Sequence, residues 1–142
     1  MYTASVAETS GLCAQENRNQ AIYFPRGLPG LETYHHFRVE ALPDNRVFSM
    51  LRSTEEAGLA LILVDPFPFI PGYRVELAGS DLAELEINGE ADVLIFTTVT
   101  VGKERLFTNL AAPIVINAAG KRGKQLVLPE RSEELRVPLV KL

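Results

Sequence analysis

The chain has 142 residues, 46% hydrophobic and 23% charged, which excludes a disordered segment and gives one domain enough apolar material for its own core. A net charge of −4 and a pI near 5.2 argue against direct nucleic-acid binding. The single cysteine, Cys13, rules out an internal disulfide, and no apolar run nears the ~20 residues of a membrane-crossing helix. The N-terminus shows no basic stretch followed by an apolar one, so a cytoplasmic location is expected, with no membrane association.

Residues 1–19 are rich in Ala, Ser, Thr, Glu and Asn without a sustained period, and are expected to form a loosely ordered arm ahead of a domain over residues 20–142. Cys13 lies in this arm with no basic or metal-ligating neighbour, as an idle thiol would. Organised sequence begins at Ala21-Ile22-Tyr23-Phe24, and Pro25, Gly27, Pro29 and Gly30 then punctuate a loop. Tyr34 to Ala41 alternates, with His35, Phe37 and Val39 on one face and His36, Arg38 and Glu40 on the other, which predicts a half-buried strand. Leu42-Pro43-Asp44-Asn45 turns it into a second strand over Val47 to Leu51.

Ser53 and Glu56 have capping-box spacing, although Gly58 keeps any helical turn short. Leu59 to Val64 is uniformly apolar and predicts a strand covered on both faces. Three prolines between Asp65 and Gly72 end it, and extended chain resumes from Tyr73 to Leu77. Asp81-Leu82-Ala83-Glu84 repeats the capping-box spacing and predicts a short helix over Leu82 to Ile87, closed by the Asn88-Gly89 turn. Val93 to Val101 is the strongest strand signal, followed by Ala112 to Asn117 and Gln125 to Leu128. Leu135 to Leu142 alternates weakly, and Pro138 assigns it to an edge. About eight or nine short strands with turns every ~8–12 residues predict an all-β fold: a compact antiparallel β-barrel-like single domain with short helical turns.

Catalytic signatures are missing. Gly102-Lys103-Glu104 lacks the glycine spacing and hydroxyl of a phosphate loop. Gly120-Lys121-Arg122-Gly123-Lys124 lies between strands with no helix behind it and is expected as a solvated turn. The only histidines, His35 and His36, are adjacent on a strand, so they point to opposite faces and cannot readily chelate one metal. No cofactor, metal or enzymatic activity is expected.

Two features suit protein binding. From Ser53 to Asp92 nine acids face one base, Arg74, for a net −8, while the remainder carries thirteen bases and nine acids, net +4. Such a segment either attracts basic partners or is a solvated surface. Second, Asp65-Pro66-Phe67-Pro68-Phe69-Ile70-Pro71-Gly72-Tyr73 sets three aromatics into a proline-stiffened loop. Phe67, Phe69 and Tyr73 either present to a partner at low entropic cost or fold back to cap the barrel.

Three stretches resemble the FliW family of bacterial flagellar assembly factors. Phe24-Pro25-Arg26-Gly27-Leu28-Pro29-Gly30-Leu31-Glu32 is similar to that family's Phe-Pro-x-Gly-Leu-Pro-Gly-Phe-Glu opening. Leu51-Arg52-Ser53 with Glu55 and Glu56, then Leu59 to Val64 ending in Asp65-Pro66, resembles its Leu-x-Ser-x-Glu-Asp stretch and apolar strand. Thr108-Asn109-Leu110-Ala111-Ala112-Pro113-Ile114-Val115-Ile116-Asn117 resembles Ala-Asn-Leu-x-Ala-Pro-Ile-Val-Ile-Asn, and Gln125 to Leu128 the strand after it. Leu31 replaces an aromatic, Gly72 replaces an acid, Ser132 to Val137 lacks the family's Tyr and His, and the first 19 residues match nothing in the family.

The resemblance implies partner switching. Family members bind the carbon storage regulator CsrA, an RNA-binding translational repressor, and relieve its repression of flagellin mRNA; flagellin competes for the same factor. Glu55, Glu56 and Asp65 are then expected to dock near the repressor's basic surface, with Phe67, Phe69 and Tyr73 as aromatic contacts. Asn109 and Asn117 either satisfy backbone groups at bends or touch a partner. The competing expectations are a flagellin-specific chaperone with no translational role and a small-molecule-binding barrel.

Overall fold

A computed structural model describes residues 2–4, 21–42, 45–87 and 93–139. Its strands are β1 (Tyr2–Ala4), β2 (Ile22–Tyr23), β3 (His36–Leu42), β4 (Asn45–Ser53), β5 (Ala60–Val64), β6 (Val75–Leu77), β7 (Val93–Val101), β8 (Leu106–Thr108), β9 (Ile114–Asn117), β10 (Arg122–Gln125) and β11 (Val137–Pro138), with one short helix, α1 (Gly79–Glu84). Nine strands form one sheet in the order β11-β8-β7-β5-β4-β3-β2-β10-β9, and β7 pairs again with β9, so the ladder returns on itself. The fold is all-β and barrel-like, as the sequence predicts.

β7 makes that return possible. Leu63 and Val64 of β5 oppose its Thr98 and Thr97. β8 covers Val99 to Val101, and β9 covers Val93 to Phe96. β8 and β9 are thus two pieces of one returning chain, broken at residues 109–113. At the break the Asn109 carboxamide accepts the Ala111 N–H at 2.9 Å, a local turn that competes with the ladder. The Thr108 hydroxyl ties β8 to β7, donating to the Thr98 carbonyl at 2.8 Å and lying 2.6 Å from the Thr97 hydroxyl.

Alternate residues of β7 serve two cores. Leu94 and Phe96 enter one core with Phe24, Phe37, Leu51, Leu63, Ile114 and Ile116. Val93 and Ile95 enter the other with Tyr73, Val75, Leu77, Leu85, Leu110 and Leu126. The second core is closed by β6, α1 and the extended chain from Leu126 to Leu128, whose N–H groups at Leu126 and Leu128 donate to Pro113 and Ala111.

Several elements differ from the sequence reading. The helix starts three residues early: Asp81 occupies its third position, where its carboxylate accepts the Ala78 N–H, and is not the cap. The helix stops where Glu86 takes a left-handed backbone, φ 56°. Ser53 makes its capping bonds, accepting N–H from Glu55 and Glu56 at 3.0 Å, yet only a turn follows. β8 has no counterpart in the prediction, and β10 begins at Arg122, within the expected solvated turn. One pairing, Arg122 with Tyr23, is parallel in an otherwise antiparallel set. Residues 1–19, expected as a loose arm, lie outside the described residues except Tyr2–Ala4, which pair with β6. The Asn88-Gly89 and Pro43-Asp44 turns also lie outside them.

The Phe24-to-Glu32 motif has a steric basis. Gly27 has φ 64°, and a side-chain carbon there would sit 2.8 Å from the Glu32 backbone, so no other residue fits without strain. Phe24, fully buried, stands against Phe37 edge-on at 5.4 Å. A methyl group on Gly123 would lie within 2.9 Å of three Phe24 ring carbons. Gly123→Ala should therefore overpack the first core and cost about 1–3 kcal/mol, read as a lower urea midpoint with unchanged slope.

Candidate partner-binding site

The structure brings Glu55 and Glu56 together with the start of β3. The Glu55 Oε1 atom accepts the N–H of His35 at 2.6 Å and of His36 at 2.9 Å, and Oε2 lies 3.6 Å from His36 Nδ1. These backbone donors, His35 first, hold the exposed Glu55 carboxyl below the ordinary 4.5. Tyr34 donates its hydroxyl to Glu56 at 3.2 Å. His36 faces Tyr23 at 5.3 Å, and Arg122 stands 5.5 Å over the Tyr23 ring. The turn after β4 is thereby latched to β3, with Glu55 spent on the latch and Glu56 exposed beside it.

The second group lies at the other end of β5, so the structure does not join the two. Asp65 is 9% exposed and accepts the Phe67 N–H at 3.1 Å, shaping the loop from within. Phe67 packs on the second core beside Tyr73, 5.9 Å between rings, while Phe69 lies against Phe48 of β4 at 6.3 Å. Of the two alternatives for Tyr73, a partner contact or a ring folded back on the domain, the structure has the second: it is 2% exposed, donating to the Leu110 carbonyl at 2.8 Å with Arg131 4.8 Å over its ring. Its burial pushes the phenol further up from its usual pKa. Asn117, expected either to satisfy backbone groups at a bend or to touch a partner, does the first: 3% exposed, it donates to the Leu85 carbonyl at 2.8 Å and accepts the Gly120 N–H at 3.1 Å. Asn109 is half-buried at the break between β8 and β9.

The acidic run does not make one acidic surface. Lys124 bridges Asp81 and Glu84, Arg26 reaches Glu84 at 2.7 Å, and Arg122 lies 3.3 Å from Glu86. These bases come from outside the run. Among its described acids, Glu56 and Glu76 are exposed without an ion pair. Sequence reasoning missed Tyr34 and the backbone N–H groups of His35 and His36 as partners of this turn; only the antiparallel register of β3 and β4 discloses them.

A model of the family described as FliW protein matches residues 8–139. The chain belongs to the FliW family. The match begins at residue 8, which corrects the expectation that the first 19 residues match nothing in the family. The flagellar assembly factor FliW of Clostridium botulinum strain Okra is 32% identical over 131 residues, covering 91% of this chain and 92% of that one. The factor of the same name from Clostridium novyi is 38% identical over 122 residues, covering 84% and 85%. A crystal structure of the flagellar assembly factor FliW superposes with a TM-score of 0.78 at 32% identity, over 85% of this chain and 86% of that one. The FliW family is one of assembly factors and not of enzymes. Among the described residues no group of three or more His, Cys, Asp or Glu could hold a metal, and no helix is long and apolar enough to cross a membrane.

Two outcomes follow from this geometry. Asn117→Ala strands the buried Leu85 carbonyl and should cost about 1–3 kcal/mol in urea unfolding. Glu55 has a depressed folded pKa, so its stabilisation is present above the ordinary value and is lost as pH falls through the folded one. Glu55→Gln should therefore lower the urea midpoint at neutral pH, with the deficit vanishing once the pH is below the folded value.

Proposed function

We propose that this chain is a cytoplasmic flagellar assembly factor that works by partner switching: it binds a CsrA-type RNA-binding repressor, relieving repression of flagellin synthesis, and binds flagellin as the competing partner. Membership of the FliW family across residues 8–139, with relatives named flagellar assembly factors, carries the reading. The exposed Glu56 and the latched turn around it support a contact with a basic protein surface, since opposed charges raise association rates and fix orientation. Repulsion between this turn and phosphates would make RNA binding nearby unfavourable. Of the aromatics in the Asp65-to-Tyr73 loop, Phe67 and Phe69 are half-buried with side-chain surface to offer, and Phe69 lies outside both cores.

Calorimetric titration with the host's own repressor, repeated with flagellin present, tests the reading. Binding that flagellin abolishes is the expected result. Heat with flagellin alone would replace it by a chaperone with no translational role, and silence with both would overturn it. Glu56→Lys should weaken repressor binding about tenfold and reduce its salt dependence without shifting the urea midpoint, whereas Glu55→Lys should also loosen the turn.

A further inference from the structure

The second core covers the outer face of the sheet at β7, and a stretch of that face over β3 to β5 belongs to neither core. Phe48 and Met50 of β4 and Ile62 of β5 alternate with the inward Ser49, Leu51 and Leu63, and Met50 stands directly opposite Ile62. All three are half-buried and belong to neither core cluster. Phe69 extends this apolar strip at the Phe48 end. At the other end Arg38 and Arg52 stand opposite each other across β3 and β4. Like charges so placed cost stability, and one carboxylate serves both: Glu40 accepts the Arg52 Nε–H at 2.9 Å and lies 3.5 Å from Arg38. Arg38 Nε is buried with no acceptor among the described residues. The triad carries a net positive charge and is short of one acceptor.

We propose that this outer face of β3 to β5 docks an amphipathic helix of a partner protein, apolar along the strip and carrying a carboxylate that pairs with Arg38. A helix is one of the elements that cover the face of a sheet, as α1 does on the neighbouring outer face at β7. The excess guanidinium selects an acidic side chain, because an Arg–carboxylate pair is planar and two-pronged and Arg38 now has one oxygen, at 3.5 Å, of a carboxylate whose other oxygen serves Arg52. The spacing is set by β4: Phe48 to Arg52 spans about 13 Å at strand rise, so the carboxylate lies about eight residues from the apolar residue over Phe48, a separation that keeps both on one helix face. This face is distinct from the Glu55–Glu56 turn and does not depend on the repressor reading.

The test is titration of the isotope-labelled full chain with two synthetic helical peptides, apolar on one face and identical except for Glu or Gln about eight residues along, on that same face. The Glu peptide should shift the amide signals of β3, β4 and β5 and bind about tenfold more tightly than the Gln peptide. Arg38→Gln, a substitution at a half-exposed site, should erase that difference between peptides while leaving the far-ultraviolet spectrum unchanged. Ile62→Lys and Met50→Lys should each abolish binding of both peptides. Shifts confined to other elements, equal affinity of the two peptides for the parent chain, or no binding would overturn the proposal. So would a concentration-dependent dimer of the parent chain that Ile62→Lys dissociates, since the face would then belong to a second copy.

Discussion

β7 is apolar on both faces, and a strand of that kind must be covered twice. Its residues Val93 to Thr97 are all less than 7% exposed, which no single-layered sheet in water could achieve. The chain meets the demand in two ways. Curling the sheet back to β9 buries Leu94 and Phe96 inside, and folding β6, α1 and the Tyr73 region over the outside buries Val93 and Ile95. Much of what looked functional in the sequence serves that second cover. Tyr73 is pinned to the Leu110 carbonyl, and Asn117 clamps the end of α1 through Leu85.

That division explains what was legible. Val93 to Val101 was readable because β-branched and aromatic residues run without a break, and the edge position of Pro138 because proline cannot donate to a ladder. β8 was not readable: Leu106-Phe107-Thr108 is too short to show a period and forms because β7 is already there to pair with. The helix start was misplaced because Asp81-x-x-Glu84 has the same spacing as a cap followed by its third residue, and sequence cannot tell an acid at the cap from one three residues inside. The aromatic loop was readable as stiff, but not which ring faces in, since prolines remove the alternation that would sort them.

Charge shows the same limit more sharply. A run with net −8 in sequence suggests a broad acidic face, yet Arg26, Arg122 and Lys124 are folded onto it from distant segments. Lys124 joins residues more than forty positions away, a contact that no local count registers. Conversely, Arg38 and Arg52 look unremarkable fourteen residues apart and become a like-charged pair only in the β3–β4 register.

A repressor-facing role for the acids therefore has to rest on few groups. Asp65 is folded inward, Asp81, Glu84 and Glu86 are neutralised in place, and Glu55 is bound by two backbone donors. A field from the whole run would act at long range and vary smoothly with ionic strength; one exposed carboxylate beside a latched turn acts within about one Debye length, ~8 Å in physiological salt. Under the proposed repressor contact, specificity would come from where Glu56 is held more than from how acidic the segment is. That placement is the work of Ser53, Glu55 and the start of β3, residues whose own side chains need touch no partner.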